Sequence, residues 1–340
     1  MEIAKTVRLY DQGAYATEFE AEVLACEEVE KKEGKVYQVW LDQTLFFPEE
    51  GGQSPDMGTI DGIKVLDVQI KDEVITHTLA APLAVGTTVK GVVDWKHRFY
   101  NMQQHSGEHI FSGIVHNRFG YDNVGFHLSD SIVTMDFNGV ITAEDIEKIE
   151  TEVNQAIIEN IPVEVSYPTK EELKVLEYRS KIEIEGQVRI VTIPGYDVCA
   201  CCAPHVRRTG EIGMLKVMNV QSYKGGVRIS ILCGFRALEA FRQKADIITE
   251  LMAQLPESGY TLCVVCDGMG GPAGGRQASH IAVDAFMSEM KKQLRPGMSP
   301  EQLKEVSAYA VSVANRAVRQ AAQASMDCRS MGTTLVSAVS

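Results

Sequence analysis

The chain has no apolar run approaching the roughly 20 residues that a membrane-spanning helix requires. Its opening, MEIAKTVRLYDQ, lacks the apolar stretch of a secretory signal. These absences exclude a helical membrane protein and point to the cytoplasm. Positive charge is also scarce, with 33 Lys and Arg against 46 Asp and Glu and a net charge of −13. The deficit is uneven: residues 1–256 hold 25 basic and 39 acidic residues, or −14, and residues 257–340 hold 8 and 7, or +1. Such a chain does not attract phosphate backbones by overall charge. A nucleic-acid partner would need a local patch, for which Lys96 with Arg98, Arg207 with Arg208, and Lys224 with Arg228 are the candidates. Eight cysteines in 340 residues without a signal segment argue for free thiols or metal ligands, against a disulfide framework.

What is present reads as α+β. Residues 17–95 alternate apolar and polar positions in FEAEVLACEEVE and KVYQVWLDQTLFF. The loop PEEGGQSPDMG follows, and Asp61-Gly62 marks a hairpin. Short strands at this spacing predict a small antiparallel β-barrel over 1–95. Residues 96–119 change to a helical period carried by Phe99, Met102, Ile110 and Ile114 and stopped by Gly120. A second helix is expected over about 142–160, with Thr142 and Asp145 as an approximate capping box. Strands and a short helix then run to about 233, giving a mixed α/β domain with an antiparallel sheet over 96–255. The helix FRALEAFRQKADIITELMAQL closes it, and a boundary is expected near 251–258.

The chemistry concentrates in two short motifs. HSGEH places His105 and His109 four residues apart, one face of one helix, where both rings can reach a single ion. CCAPH repeats the spacing with Cys201 and His205, and the combined nitrogen and sulfur donors are those zinc prefers. His116 is excluded because it lies about 16 Å along the helix from His105. Cys199 and Cys202 are rivals to Cys201, which is favoured only by its matching spacing. HSGEH also has the H-x-x-E-H form, with Glu108 as a candidate general base or, equally, a residue supporting the site. The same histidines and cysteine would suit metal-dependent lyases that cleave ribosyl thioethers.

Taken with its surroundings, QQHSGEHIFSGIVHNRFGYDNVGFHLSDSIVTMDFNG together with DVCACCAPHVRRTGEIGMLKV resembles the alanyl-tRNA editing proteins, free-standing relatives of the editing domain of alanyl-tRNA synthetase. FFPEEGGQSPDMGTIDG is similar to that family's glycine-rich motif, and GGVRISILCGFRALEAF to the end of its editing domain, so the resemblance covers about residues 5–250. It implies zinc on His105, His109, Cys201 and His205, and hydrolysis of the ester of alanine tRNA mischarged with serine or glycine. Gly51 and Gly52 then either admit the aminoacyl end to the backbone or simply turn the loop. A zinc-stabilised tRNA-binding module without turnover is the alternative. Aminoacylation is not expected, because no ATP-dependent synthetase core precedes the barrel, although a description by similarity is expected to carry alanine-tRNA ligase and ATP-binding terms.

Residues 256–340 leave this pattern. TLCVVCDGMGGPAGGRQASHIAVDAF and the later MGTTLVSAVS resemble the PPM-type metal-dependent protein phosphatases. That resemblance implies Asp267 as a carboxylate ligand to paired manganese or magnesium ions, with the Gly268 carbonyl assisting. A phosphate-cradling loop and the editing family's own C-terminal glycine motif are the other readings. The opening strand of the phosphatases is missing before Thr261, and the later aspartates would lie beyond Ser340. The tail is therefore expected to be an incomplete α/β fragment, inactive as a serine/threonine phosphatase, with LCVVC and TTLVSAV left as unpartnered apolar edges.

Overall fold

The structure, a computed structural model, describes residues 3–31, 34–180, 186–253, 260, 262–269, 271–324 and 331–339. Its first strands are β1 (Val7–Arg8), β2 (Glu18–Lys31), β3 (Gly34–Leu41), β4 (Gln43–Thr44), β5 (Gly58–Ile60), β6 (Ile63–Lys71), β7 (Val74–Leu79) and β8 (Thr88–Val93). Six of them pair antiparallel in the closed order β2-β3-β7-β6-β5-β8, and β1 pairs in parallel with β4 outside that ring. Alternation is the cause. On β2 the side chains of Phe19, Ala21, Val23 and Ala25 are buried while Glu18, Glu20 and Glu22 face water, the period of two that fixes which face looks inward. Asp61 and Gly62 both have positive φ, 48° and 76°, the tight turn that joins β5 to β6.

Helix α1 (Trp95–Phe119) follows at once. The Asp94 carboxylate accepts from the His97 backbone N–H at its start, and Gly120 ends it in the left-handed region at φ 68°. Every residue from 101 to 115 is buried. The elements that follow are β9 (Asn123–Leu128), β10 (Val133–Phe137), α2 (Ala143–Glu159), β11 (Glu164–Ser166), α3 (Lys170–Leu173), β12 (Ile190–Ile193), β13 (Asp197–Ala200), β14 (Leu215–Tyr223) and β15 (Gly226–Cys233). They form an antiparallel sheet β14-β15-β10-β9 and a three-stranded antiparallel sheet β11-β12-β13. Thr142 caps α2 by accepting from the Asp145 N–H, and its hydroxyl donates to the Asp145 carboxylate.

Arg98 joins α1 to the barrel. Its guanidinium is fully buried and donates to both carboxylate oxygens of Asp56 and to the carbonyls of Ala14 and Leu45, while Asp56 also accepts from the Phe47 N–H. Arg98 therefore has no access to a nucleic acid, contrary to its place among the candidate cations. An isolated charge cannot remain at such depth, so its conjunction with Asp56 is structural.

Helix α4 (Gly234–Ala253) runs from β15. The chain divides into two compact units, Met1–Glu239 and Ala240–Ser340. The barrel and the domain after it, separate in the sequence reading, thus form one unit. The division falls within α4, earlier than the boundary expected near 251–258, most of which lies outside the described residues. The second unit holds β16 (Leu262–Val265), β17 (Gly268–Met269), α5 (Gly271–Gln293), α6 (Pro300–Ala324), β18 (Gly332–Thr333) and β19 (Val336–Val339). The two apolar segments expected to lack partners pair with each other, β16 antiparallel to β19, because backbone groups beside a packed core need hydrogen bonds. Leu262 and Val264 pack with Ala278, Phe286, Met290, Ala310 and Ala314 of the two helices.

Replacing Arg98 with Ala leaves the Asp56 carboxylate buried and unpaired. The expected loss is about 3–5 kcal/mol, with a smaller loss when both partners become apolar, as Arg98→Met with Asp56→Leu. Urea unfolding of the single and double variants measures the difference.

Candidate metal centre

The buried face of α1 carries His105 and, one turn later, His109. The segment after β13 brings Cys201 and His205 against them. One donor atom from each of the four residues lies within 4.8 Å of all the others. The Cys201 Sγ is 3.3 Å from His205 Nε2 and 3.6 Å from His105 Nε2, and the three ring centroids are 4.5–5.3 Å apart. The histidines are 2–4% exposed, so bulk water is largely absent.

The outward nitrogen of each ring is engaged elsewhere. His105 Nδ1 lies 2.7 Å from Gln53 Oε1, His109 Nδ1 2.9 Å from Asp197 Oδ2, and His205 Nδ1 3.0 Å from Ser106 Oγ. An amide oxygen and a carboxylate accept only, so in the first two contacts Nδ1 donates and Nε2 is the nitrogen left on the cluster side. Arg179 completes the support by donating from Nε and Nη2 to the two oxygens of Asp197. Such outer partners fix ring orientation and raise ligand basicity.

Electrostatics favour a ligand rather than a thiol. Burial alone pushes the Cys201 thiol up, but the surrounding imidazoles, His105 foremost, with the hydrogen bonds of His105 and His109, outweigh it and hold the thiol well below its ordinary range. Burial pushes His205 down to about 3, keeping that ring neutral. Burial is the largest influence on His109 and acts against its charge, yet the hydrogen bonds to Asp197 and Cys201 and the nearby thiols together outweigh it and hold that ring well above the usual imidazole range.

The rivals separate in space. Cys202 faces the loop below Gly51, and His116 turns to Asp122 at 3.2 Å. Cys199 groups with His109 and Asp197, but both oxygens of that carboxylate are held by Arg179, and burial pushes the Cys199 thiol up to about 11. Glu108 is buried outside both donor groups, its Oε1 accepting from the Ser112 hydroxyl and the Asn123 amide, each at 2.6 Å.

Gly51 and Gly52 adopt φ values of 62° and 84°. A side chain on Gly52 would collide with the Phe126 carbonyl, so glycine lets the loop lie directly on β9, where Leu128 N–H donates to the Gly52 carbonyl at 2.7 Å. The consequence is the position of Gln53, which carries its amide to His105. The sequence reading missed Gln53, Ser106, Arg179 and Asp197. The only local signal was the adjacency of Gln53 to the paired glycines, and of Asp197 and Ser106 to the ligand motifs.

Of the remaining candidate cations, Arg228 is paired with Asp136 and Lys96 lies 3.8 Å from Glu239. Lys224 sits over the Tyr223 ring, Arg208 donates to the Asn160 carbonyl, and Arg207 lies over the Tyr15 ring. In the second unit Asp267 is exposed, and its carbonyl accepts from the Thr334 N–H and the Thr333 hydroxyl. Gly268 lies so close to the Gly275 carbonyl that no side chain fits. Among the described residues, neither is part of a group of three donors.

Family models match both parts of the first unit, the barrel and the domain that carries the histidine and cysteine cluster. A model described as tRNA synthetases class II (A) matches residues 3–97, and one described as threonyl and alanyl tRNA synthetase second additional domain matches residues 188–230. The chain is similar to alanyl-tRNA editing proteins. It is 33% identical to alanyl-tRNA editing protein Aarsd1 of Bos taurus, covering 72% of this chain and 58% of that protein. It is also 33% identical to alanyl-tRNA editing protein AlaX-L of Pyrococcus horikoshii, covering 69% and 60%. Against an alanine–tRNA ligase of Ignicoccus hospitalis it is 31% identical over 74% of this chain and 28% of the ligase. The chain thus spans about three fifths of the editing relatives it matches. A protein phosphatase 2C model matches residues 251–340.

A metal held by this cluster is expected to bind about 10- to 100-fold more weakly in Gln53→Leu, which frees the His105 ring. Affinity is also expected to rise with pH, since the ion must displace the proton that Asp197 favours on His109. Competition titrations with a chromophoric chelator across pH 6–8 measure both effects.

Proposed function

We propose that this chain hydrolyses the ester linking serine or glycine to mischarged alanine tRNA, with zinc held by His105, His109, Cys201 and His205. One observation carries the reading: donor atoms of three imidazoles and the Cys201 thiol converge while every Nδ1 already has its partner. Nitrogen and sulfur donors in this number suit zinc. Bound there, zinc would polarise the ester carbonyl or lower the pKa of a bound water. The chain's own part is positional. Gln53, Ser106 and Asp197 hold the three rings, Cys201 supplies negative charge, and burial limits competing water. In this reading the barrel (1–95) and the domain of 96–255 act together in the cytoplasm. Among the described residues no helix is long and apolar enough to cross a membrane.

Release of serine from seryl-charged alanine tRNA is expected with zinc and is lost with a chelator or in His105→Ala. If tRNA binds but no serine is released, the non-hydrolytic alternative holds instead. Seryl ester is expected to react roughly 100-fold or more faster than alanyl ester, because a site that hydrogen-bonds the serine hydroxyl leaves polar groups unpaired with alanine.

Residues 256–340 take no part in this proposal. A two-metal phosphatase centre needs carboxylates from several strands, and Asp267 offers one. Truncation after residue 256 is expected to leave serine release intact. The full chain is expected to leave p-nitrophenyl phosphate uncleaved with manganese, and manganese-dependent cleavage lost in Asp267→Ala would overturn that reading.

A further inference from the structure

The second pair of candidate donors sits on a stretch of chain that the sheet does not support. β13 is held on one edge by β12, with Ile190 opposite Ala200, and on the other by residue 179. The Arg179 N–H donates to the Val198 carbonyl at 2.8 Å, and its carbonyl accepts from the Ala200 N–H at 2.9 Å. The pairing with β12 closes one residue later, where the Cys201 N–H donates to the Arg189 carbonyl at 3.1 Å. Among the described residues, 202–205 form no backbone-to-backbone hydrogen bond. Yet the Cys201 Sγ lies 3.3 Å from His205 Nε2, so something other than the sheet shapes the turn between them.

Arg189 does so. It is part-buried, and its Nη1 donates to the Cys201 carbonyl at 2.7 Å and to the Ala203 carbonyl at 3.0 Å. Carbonyls two residues apart on an extended strand point the same way but stand about 6.6 Å apart. One nitrogen cannot meet both at bonds of these lengths unless the chain curls after Cys201. The curl is what brings His205 back toward the sulfur. Residue 189 thus grips Cys201 at both its N–H and its carbonyl. The far end of the segment is tied to α1 instead. There the Ser106 oxygen lies 3.0 Å from His205 Nδ1 and accepts from the Val206 N–H at 3.2 Å. The two anchors act on different donors: Ser106 orients the imidazole, Arg189 the thiol.

We propose that Arg189 is a positioning residue for the candidate metal centre, fixing the backbone of Cys201 so that its sulfur faces the three imidazoles. The proposal rests on the metal-binding part of the reading above. His105 and His109 are carried by α1 and do not depend on Arg189, so loss of its donor loosens sulfur from the ion before nitrogen. Both bonds come from a single nitrogen, and Nε has no hydrogen-bond partner among the described residues. A lysine ammonium, with three donors on a long stem, can therefore supply what is needed.

Cobalt(II) is the probe, because a thiolate bound to it gives a charge-transfer absorption that imidazole does not, and binding is read without substrate. The full chain is expected to bind cobalt with that thiolate band. Arg189→Met, which keeps the stem and loses the donor, is expected to bind cobalt about 10- to 100-fold more weakly and to lose the band. Arg189→Lys is expected to recover both. With zinc saturating, Arg189→Met is expected to lower kcat for serine release and leave KM unchanged. Native cobalt affinity and band in Arg189→Met overturn the proposal, as does a folded Arg189→Lys without the band. The lysine variant decides even where Arg189→Met does not fold. A raised KM with kcat preserved makes Arg189 a substrate contact and overturns it too. If the unaltered chain binds no cobalt, the metal reading falls and this one with it. If cobalt binding depends on Arg189 as expected and no serine is released, the positioning role stands and the hydrolase reading falls.

Discussion

One helix without a solvent side organises the first unit. From residue 101 to 115 α1 is buried all round, yet it carries Asn101, Gln103, Gln104, His105, Ser106, Glu108, His109 and Ser112 in that stretch. Each buried polar group costs free energy unless it finds a partner. Each partner is therefore also a tether. Gln104 exchanges hydrogen bonds with the backbone of Cys233, Gln103 donates to the Glu211 carbonyl, and Asn101 accepts from Arg236. Ser106 accepts from the Val206 N–H, and Glu108 holds Asn123. The helix thus specifies where five surrounding segments lie, and the two imidazoles of the cluster are part of the same accounting.

That arrangement ties each ring of the candidate centre to a different element. His105 is held by a loop of the barrel, His109 by β13 and His205 by α1 itself. A shift of any one element would release a buried donor elsewhere, such as Arg98 from Asp56 at the start of the same helix. Close packing adds to the restraint: Gly107, between the two histidines, approaches Cys233 so closely that no larger residue fits. Rigidity of this kind preorganises a site for an ion or a transition state, at the cost of burying groups that must all be satisfied.

The second unit is bound by different physics. Its two helices bury alanines, methionines and Phe286 against two short strand pairs, with few buried polar side chains among the described residues. Val265 and Val336 stand opposite one another across the β16–β19 pair and are both largely exposed. A two-stranded sheet has one face to give to its helices, and these valines lie on the other.

The sequence by itself determined the alternation of β2, the helix that begins near residue 96, the Asp61-Gly62 turn and the two pairs of donors four residues apart. These are local: a period of two, a period of 3.6, a cap or a turn residue acts within a few positions. Only the tertiary structure decided that Arg98 is an internal cation, that Gln53 reaches His105 from 52 residues away, and that Asp197 rather than Glu108 supports the cluster. It also separates the three cysteines, Cys201 grouping with the three histidines, Cys199 with His109 and Asp197, and Cys202 lying beside Gly51. The reason is common to all of these. A charged or polar residue in a sequence carries the same signal whether it faces water or a buried partner, and its partner is set by packing between segments distant in the chain.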